Sequence, residues 1–216
     1  MRQNPDLNTL EAIKNITASC LISQNKIYKN GQLIFEHPGS SEKFLDEVYA
    51  HFEISYPKFH KMDMLCKLGL LATEILLKDE HHEKKYTETE TGLVLSNANA
   101  SLDVDLRYAR TIQSGASPAL FVYTLPNIVI GEISIRFRFK GENAFFVFKQ
   151  FNGNFIAEYV NGLFDNNLIK NCICGWVDIL KEDYRAFLCL IETGNSKNAM
   201  PFTADNLNQL NQKDHG

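Results

Sequence analysis

The chain has 216 residues, 44 % of them hydrophobic, which is enough for one domain with a sizeable core and too short for two full ones. A net charge of −4 excludes the signature of a polyanion binder, which gathers Lys and Arg on one face, so no nucleic-acid partner is expected. Five cysteines, an odd number, fit reduced thiols better than a disulfide framework, and no segment reaches the ~18 apolar residues that span a bilayer. Met1 to Lys14 is polar and lacks the apolar core and cleavage site of a secretory signal, so the expected location is cytoplasmic.

Ile16 to Ser23 predicts a first strand. Lys26 to Phe35 follows, with Asn30-Gly31 as a strong two-residue hairpin turn between short β-prone pieces. Ser41 to His51 has helical spacing through Phe44, Leu45, Val48 and Tyr49, with Ser40 or Ser41 as N-cap. The clearest helix is Met62 to Leu77, where Met62, Leu65, Leu68, Gly69, Ala72, Ile75 and Leu76 recur at a period near 3.6 and form a core stripe. Lys78 to Glu90 mixes acids, bases and two histidines and reads as a solvated loop.

Gly92 to Ser96 is a compact apolar strand, and Ser101 opens a helix that carries Asp103 and Asp105 near its positive end and stops at Gly115. Ser117 to Ile135 is almost wholly apolar or aromatic, broken by Pro118, Pro126 and Gly131, and reads as two short helices buried on several sides. Ala144 to Phe148 shows no polar alternation, the pattern of a strand covered on both faces. Asn152 to Phe164 is a helix with Phe155, Ile156, Tyr159, Val160, Leu163 and Phe164 inward. Asn171 to Ile179 and Ala186 to Ile191 are the last strands, with Cys172 and Cys174 on one face as small buried hydrophobes. Residues 1–193 form the expected domain, and 194–216, rich in Asn, Gln and Lys, a polar tail that is docked or frayed. Strands alternating with helices predict an α/β sheet with helices on its faces.

The phosphate-cradling patterns GxxxxGK and GxGxxG are missing, as is the GxSxG elbow of a serine hydrolase. The histidines, at 37, 51, 60, 81, 82 and 215, lie in polar surroundings and read as solvent-facing. His81-His82 between Glu80 and Glu83 is no metal site, because adjacent imidazoles diverge and no second ligand pair is spaced to help. No metal or cofactor is expected.

Several motifs in order carry a resemblance. They are Ser117-Pro118-Ala119-Leu120-Phe121, Leu125-Pro126-Asn127, Gly131-Glu132-Ile133-Ser134-Ile135, Lys140-Gly141-Glu142-Asn143, and the strand Cys172-Ile173-Cys174-Gly175-Trp176-Val177-Asp178. Together they resemble the amino-terminal half of β-ketoacyl synthases, with the helix Met62 to Leu77 as a more diffuse match upstream. The resemblance implies a thiolase-like half: a mixed, mostly parallel sheet with helices on both faces, lacking the carboxy-terminal repeat. Counting from Gly141, the nucleophilic cysteine of the synthases falls on Gln150, and a carboxamide cannot form an acyl thioester. Glu142 and Trp176 also depart from the family pattern, and the histidine pair that follows the nucleophile is missing. Gln for Cys is the mark of chain length factors, and the chain resembles the short ones of aryl polyene pathways.

That resemblance implies a pseudo-ketosynthase subunit in polyketide-, polyene- or fatty-acid-type biosynthesis. It would pair with a β-ketoacyl synthase as a heterodimer and meet acyl carrier protein transiently. Ala144, Phe145, Phe146, Val147 and Phe148 would form the partner interface, and Phe121, Tyr123, Leu125 and Ile128 a gate on the acyl tunnel. One alternative is a Gln-type malonyl-carrier decarboxylase. Another is a self-associating, carrier-docking scaffold that uses Arg107, Arg110, Arg136, Arg138 and Lys140.

Overall fold

A computed structural model describes residues 13–113, 115–194 and 200–212. The chain opens with a meander of β1 (Lys14–Ser23), β2 (Lys26–Lys29) and β3 (Gln32–Glu36). Both links are two-residue turns, Gln24-Asn25 and Asn30-Gly31, and all four residues take positive φ, the backbone form whose twist matches the flanking strands. Helix α1 (Ser41–His51) is capped by Ser40, whose hydroxyl accepts from Lys43 N. After a 3₁₀ turn at Pro57–Lys61, α2 (Met64–Leu77) starts two residues later than its apolar stripe predicts. The reason is Asp63, whose carboxylate caps the amides of Leu65 and Cys66.

Then come α3 (His82–Lys85), β4 (Thr91–Asn97), α4 (Leu102–Thr111), α5 (Pro118–Phe121), α6 (Ile128–Phe137), β5 (Asn143–Val147) and α7 (Gly153–Asp165). Asn152 caps α7 through Phe155 N. The last elements are β6 (Asn171–Leu180), β7 (Asp183–Thr193), β8 (Met200–Pro201) and α8 (Ala204–Gln212). The strands form one mixed sheet in the order β3-β2-β1-β7-β6-β4-β5, with β8 added beside β1.

Helices cover both faces, as expected. On the first, α1, α2 and α6 pack on Ile22, Leu93, Leu95, Ile173 and Leu188; on the second, α7 and α8 pack on Val94, Cys172, Cys174, Phe187 and Ile191. Parallel pairing holds a smaller share of the sheet than expected. It joins β4 to β5 and β4 to β6, and the other pairings are antiparallel. Two-residue links reverse the chain between β1 and β2, β2 and β3, and β6 and β7, whereas parallel neighbours need a helical crossover.

Four sequence expectations change. The segment Lys78 to Glu90 is not simply solvated. It contains α3 and buries His82, whose Nε2 lies 2.8 Å from Asn171 Oδ1, so His82 is not solvent-facing. The helix from Ser101 ends at Thr111, before Gly115. The run Ser117 to Ile135 is two short helices, but α5 buries none of its residues, and Phe121, Leu125 and Ile135 are exposed. The strand at Ala144 to Phe148 is an edge strand with half-buried side chains rather than one covered on both faces. In the polar tail, residues 200–212 are docked: Phe202 and Leu207 are buried, and Asn208 Oδ1 accepts from Gly153 N at 3.2 Å.

Glu192 ties α3 to the sheet by accepting from Thr17 Oγ1, Tyr86 OH and Lys85 Nζ. Burial pushes its carboxyl up, but the bonds from Thr17 and Tyr86 and the Lys85 charge outweigh burial, so the net shift is downward. Glu90 is lowered to about 2 by hydrogen bonding to Lys170 and Thr87. A depressed carboxylate stabilises the fold above its unfolded pKa and stops doing so as pH falls through the folded value. Melting temperature should therefore fall between pH ~5 and ~2, and Glu192→Gln should flatten part of that slope in thermal melts across the window.

Candidate functional site

The sheet ends at β5. Its residues 143–147 run parallel to 93–97 of β4, with Leu93 N bonded to Glu142 O and Phe148 N to Asn97 O, both at 2.9 Å. Alternation along a strand then directs the amides of Ala144 and Phe146 to β4 and turns the N–H and C=O of Asn143, Phe145 and Val147 to the free edge. The side chains are as apolar as the edge is polar. Ala144, Phe145 and Phe146 are half-buried, and Val147 is 52 % exposed. Phe145 packs on the first-face core, while the Phe146 ring meets Phe148, Phe155 and Tyr159 on the second.

Beyond Phe148, itself half-buried, the turn carrying Lys149 and Gln150 is exposed. Gln150 borders a shallow depression lined by residues 148–154 with Asn208 and Gln212 of α8, and among the described residues no imidazole lines it. The five cysteines are buried and free, and burial pushes the thiols up, to about 12 for Cys20 and Cys174. None of them is a nucleophile at neutral pH. Among the described residues, no group of three or more His, Cys, Asp or Glu could hold a metal ion.

Apolar side chains are also exposed on α6, which packs against β5, and on the segment before it. Phe121 and Leu125 are 59 % and 57 % exposed, and Ile135 is exposed on α6. Tyr123 does not belong to this outward set: it is buried, with its hydroxyl 3.4 Å from Glu132 Oε1. Ile128 is half-buried against the first-face core. Of the four gate residues, two face out and two face in. The sequence reading missed Leu102 and Leu106, exposed on α4, and Ile112, exposed just past its end; α4 touches Phe121 through the Tyr108 ring. The signal was there, because Leu102 and Leu106 share a helix face and only Val104 of α4 is buried.

The proposed basic stripe is internally engaged. Arg136 pairs with Glu74 and donates to Ser55 O, while Arg138 and Lys140 both pair with Glu88. Arg107 and Arg110 are exposed on α4.

No family model and no curated protein matches the sequence. Among solved structures, the ishigamide ketosynthase/chain length factor superposes with a TM-score of 0.63 at 16 % identity, over 88 % of this chain and 64 % of that one. The chain has the ketosynthase fold. A type II PKS acyl-carrier protein in complex with its ketosynthase bound to the hexaketide matches with a TM-score of 0.57 at 12 % identity, over 84 % of this chain and 63 % of that one. The chain thus spans a little under two thirds of the length of these two relatives. A ketosynthase in complex with its chain length factor from Xenorhabdus doucetiae matches with a TM-score of 0.53 at 12 % identity, over 92 % of this chain and 90 % of that one. The matched chain in that complex is therefore of nearly the same length as this one. Among the described residues, no helix of this ketosynthase fold is long and apolar enough to cross a membrane.

An exposed turn with no imidazole beside it among the described residues leaves a thiol placed there unactivated. Gln150→Cys should change stability by no more than about 0.5 kcal/mol. Its new thiol should react with iodoacetamide at the rate of a free cysteine, while the five buried thiols stay unreactive until the protein unfolds. A rate far above that of free cysteine would reveal an activating group that the geometry lacks.

Proposed function

We propose that this chain is a non-catalytic, chain-length-factor-like subunit that pairs with a β-ketoacyl synthase through β5. It stabilises the synthase and helps close its acyl tunnel in polyketide-type biosynthesis. The observation that carries the reading is the free edge of β5, with its outward backbone groups at Asn143, Phe145 and Val147 and the exposed Val147 side chain; Phe121 and Leu125 are exposed on the segment that leads into α6, which packs against β5. An edge of this kind invites a second strand, and exposed apolar side chains such as Val147, Phe121 and Leu125 are available for the burial that a stable pair needs. The near-equal length of the matched chain in the ketosynthase–chain length factor complex supports the same reading.

Gln150 supports the non-catalytic part. At the position that the resemblance assigns to the thiol, a carboxamide has no group that can take an acyl chain, and an exposed turn has no oxyanion pocket to make up for it. In this reading the synthase supplies the nucleophile and the imidazoles, and this subunit supplies the wall. Phe121 and Leu125 are the side chains that reach across to narrow the tunnel. Acyl carrier protein is the transient third partner, with Arg107 and Arg110 of α4 as the available cations for its acidic surface. All of this takes place in the cytoplasm.

The test is native mass of the subunit expressed alone and together with a β-ketoacyl synthase from the same source. The reading expects a one-to-one complex, with the lone subunit unstable or self-associated. A monomeric lone subunit that ignores the synthase would sink it, and acetyl-carrier formation from malonyl-carrier by that subunit would move it to the decarboxylase class. Val147→Lys places a charge on the free edge and should abolish the complex while changing monomer stability by no more than about 0.5 kcal/mol. Leu125→Ala should leave the complex intact and lengthen the carrier-bound products, read by mass spectrometry.

A further inference from the structure

Glu132 lies on α6 with 3 % of its surface exposed. A carboxylate this deep is destabilising unless it is paired and hydrogen-bonded. Two groups meet it. Lys58 Nζ, on the 3₁₀ turn, is 2.7 Å from Oε2 but off the line of a good hydrogen bond, so that contact is mainly electrostatic. The Tyr123 hydroxyl donates to Oε1 across 3.4 Å. Burial, and then Glu132, Cys66 and Asp63, push the Tyr123 phenol up, so it stays a protonated donor throughout the neutral range.

Tyr123 is the inward residue of a segment whose neighbours point out. Phe121, Val122 and Leu125 are each at least half exposed, while Tyr123 is 8 % exposed. The backbone between them is a tight turn, with Tyr123 N bonded to Leu120 O at 3.0 Å and Thr124 N to Phe121 O at 3.1 Å. Ser101 Oγ donates to Thr124 O at 3.0 Å and ties the same turn to the start of α4. In a turn this short, the direction of one side chain sets the direction of the residues on either side. The tether at Tyr123 therefore governs where Phe121 and Leu125 aim.

We infer that Glu132, held by Lys58, is a positioning residue that anchors Tyr123 and so aims Phe121 and Leu125 at the partner's acyl tunnel. This rests on the reading of the chain as a synthase partner. It also replaces a direct gating role for Tyr123 with an anchoring one. Beside the Tyr108–Phe121 ring contact and the Ser101 bond to Thr124, the buried carboxylate is the contact that holds this exposed apolar turn from its inner side.

The test uses the assembled complex of this chain with its synthase, fed malonyl-carrier, with carrier-bound chain lengths read by mass spectrometry. Tyr123→Phe, which removes one oxygen, and Glu132→Gln, which keeps the shape but removes the charge, should each broaden the length distribution. Native mass of the complex should stay at the wild-type value, and its melting temperature should fall by no more than several degrees. The double variant should broaden it no further than the stronger single one, because both act on the one Tyr123–Glu132 contact, Tyr123→Phe by removing its donor and Glu132→Gln by weakening its acceptor, whereas adding Leu125→Ala should broaden it further. Lys58→Arg should retain the wild-type distribution, and Lys58→Met should lose it. If Glu132→Gln fails to assemble, Tyr123→Phe carries the test alone. Unchanged products for Tyr123→Phe, with a clear shift for Leu125→Ala, would overturn the positioning role and leave the synthase-partner reading standing. Failure of the unsubstituted chain to form a complex would overturn both.

Discussion

β5 is hydrogen-bonded along one side and open along the other, and the two neighbouring features of the molecule follow from where it lies. β4 is buried at every position between β6 and β5, so the parallel trio is rigid up to its last member. The outermost strand then presents Asn143, Phe145 and Val147 as an unpaired backbone row; Ile135 is exposed on α6, which packs against β5, and Phe121 and Leu125 on the segment before it. The opposite edge is managed differently. β3 is five residues long, begins and ends with Gln32 and Glu36, and pairs with β2 through a bulge between Ile27 and Tyr28. A bulge and polar residues at both ends blunt an edge against strand addition; β5 is equally short, but it pairs with β4 without a bulge and ends on exposed Val147.

The scaffold behind this edge is held at close range. At Gly175 on β6, with φ near 154°, an added Cβ would lie 2.0 Å from Phe187 O, so a larger residue cannot be placed without moving β7. At Gly69 on α2, an added Cβ would lie 2.5 Å from Val129 Cγ2, which sets how closely α6 approaches. α6 in turn carries Glu132 and leads into β5. Packing of α2 thus reaches the candidate site through one helix, and a loosened contact at Gly69 would be felt at the edge.

Much of this could be read from the sequence, for identifiable reasons. Asn30-Gly31 fixed its hairpin because few other residues tolerate paired positive φ, and the stripe from Leu65 to Leu76 marked α2 because it repeats with the helix. The order of motifs from Ser117 to Asp178 led to the ketosynthase fold that the solved structures share. What failed was the assumption that apolar means buried. Phe121, Leu125 and Val147 are as hydrophobic as core residues, and a chain that keeps such surface for a partner looks the same as one that hides it. His82 failed in the opposite sense: its neighbours in sequence are charged, and Asn171, the residue that lets it be buried, lies 89 positions away. Residues 204–212 look like a polar tail because α8 buries just Leu207 on its inner side and spends its polar side chains on α7 and β7, through Asn208 and Asn211.

The central claim is that the free edge of β5 is where the partner strand adds. Amide hydrogen exchange on the purified complex with a β-ketoacyl synthase tests it at single residues. The account predicts that the amides of Phe145 and Val147 exchange as slowly as those of buried β6, because strand addition gives them acceptors that this chain alone does not. Rapid exchange at both positions in a complex that stays assembled would contradict it and place the interface elsewhere.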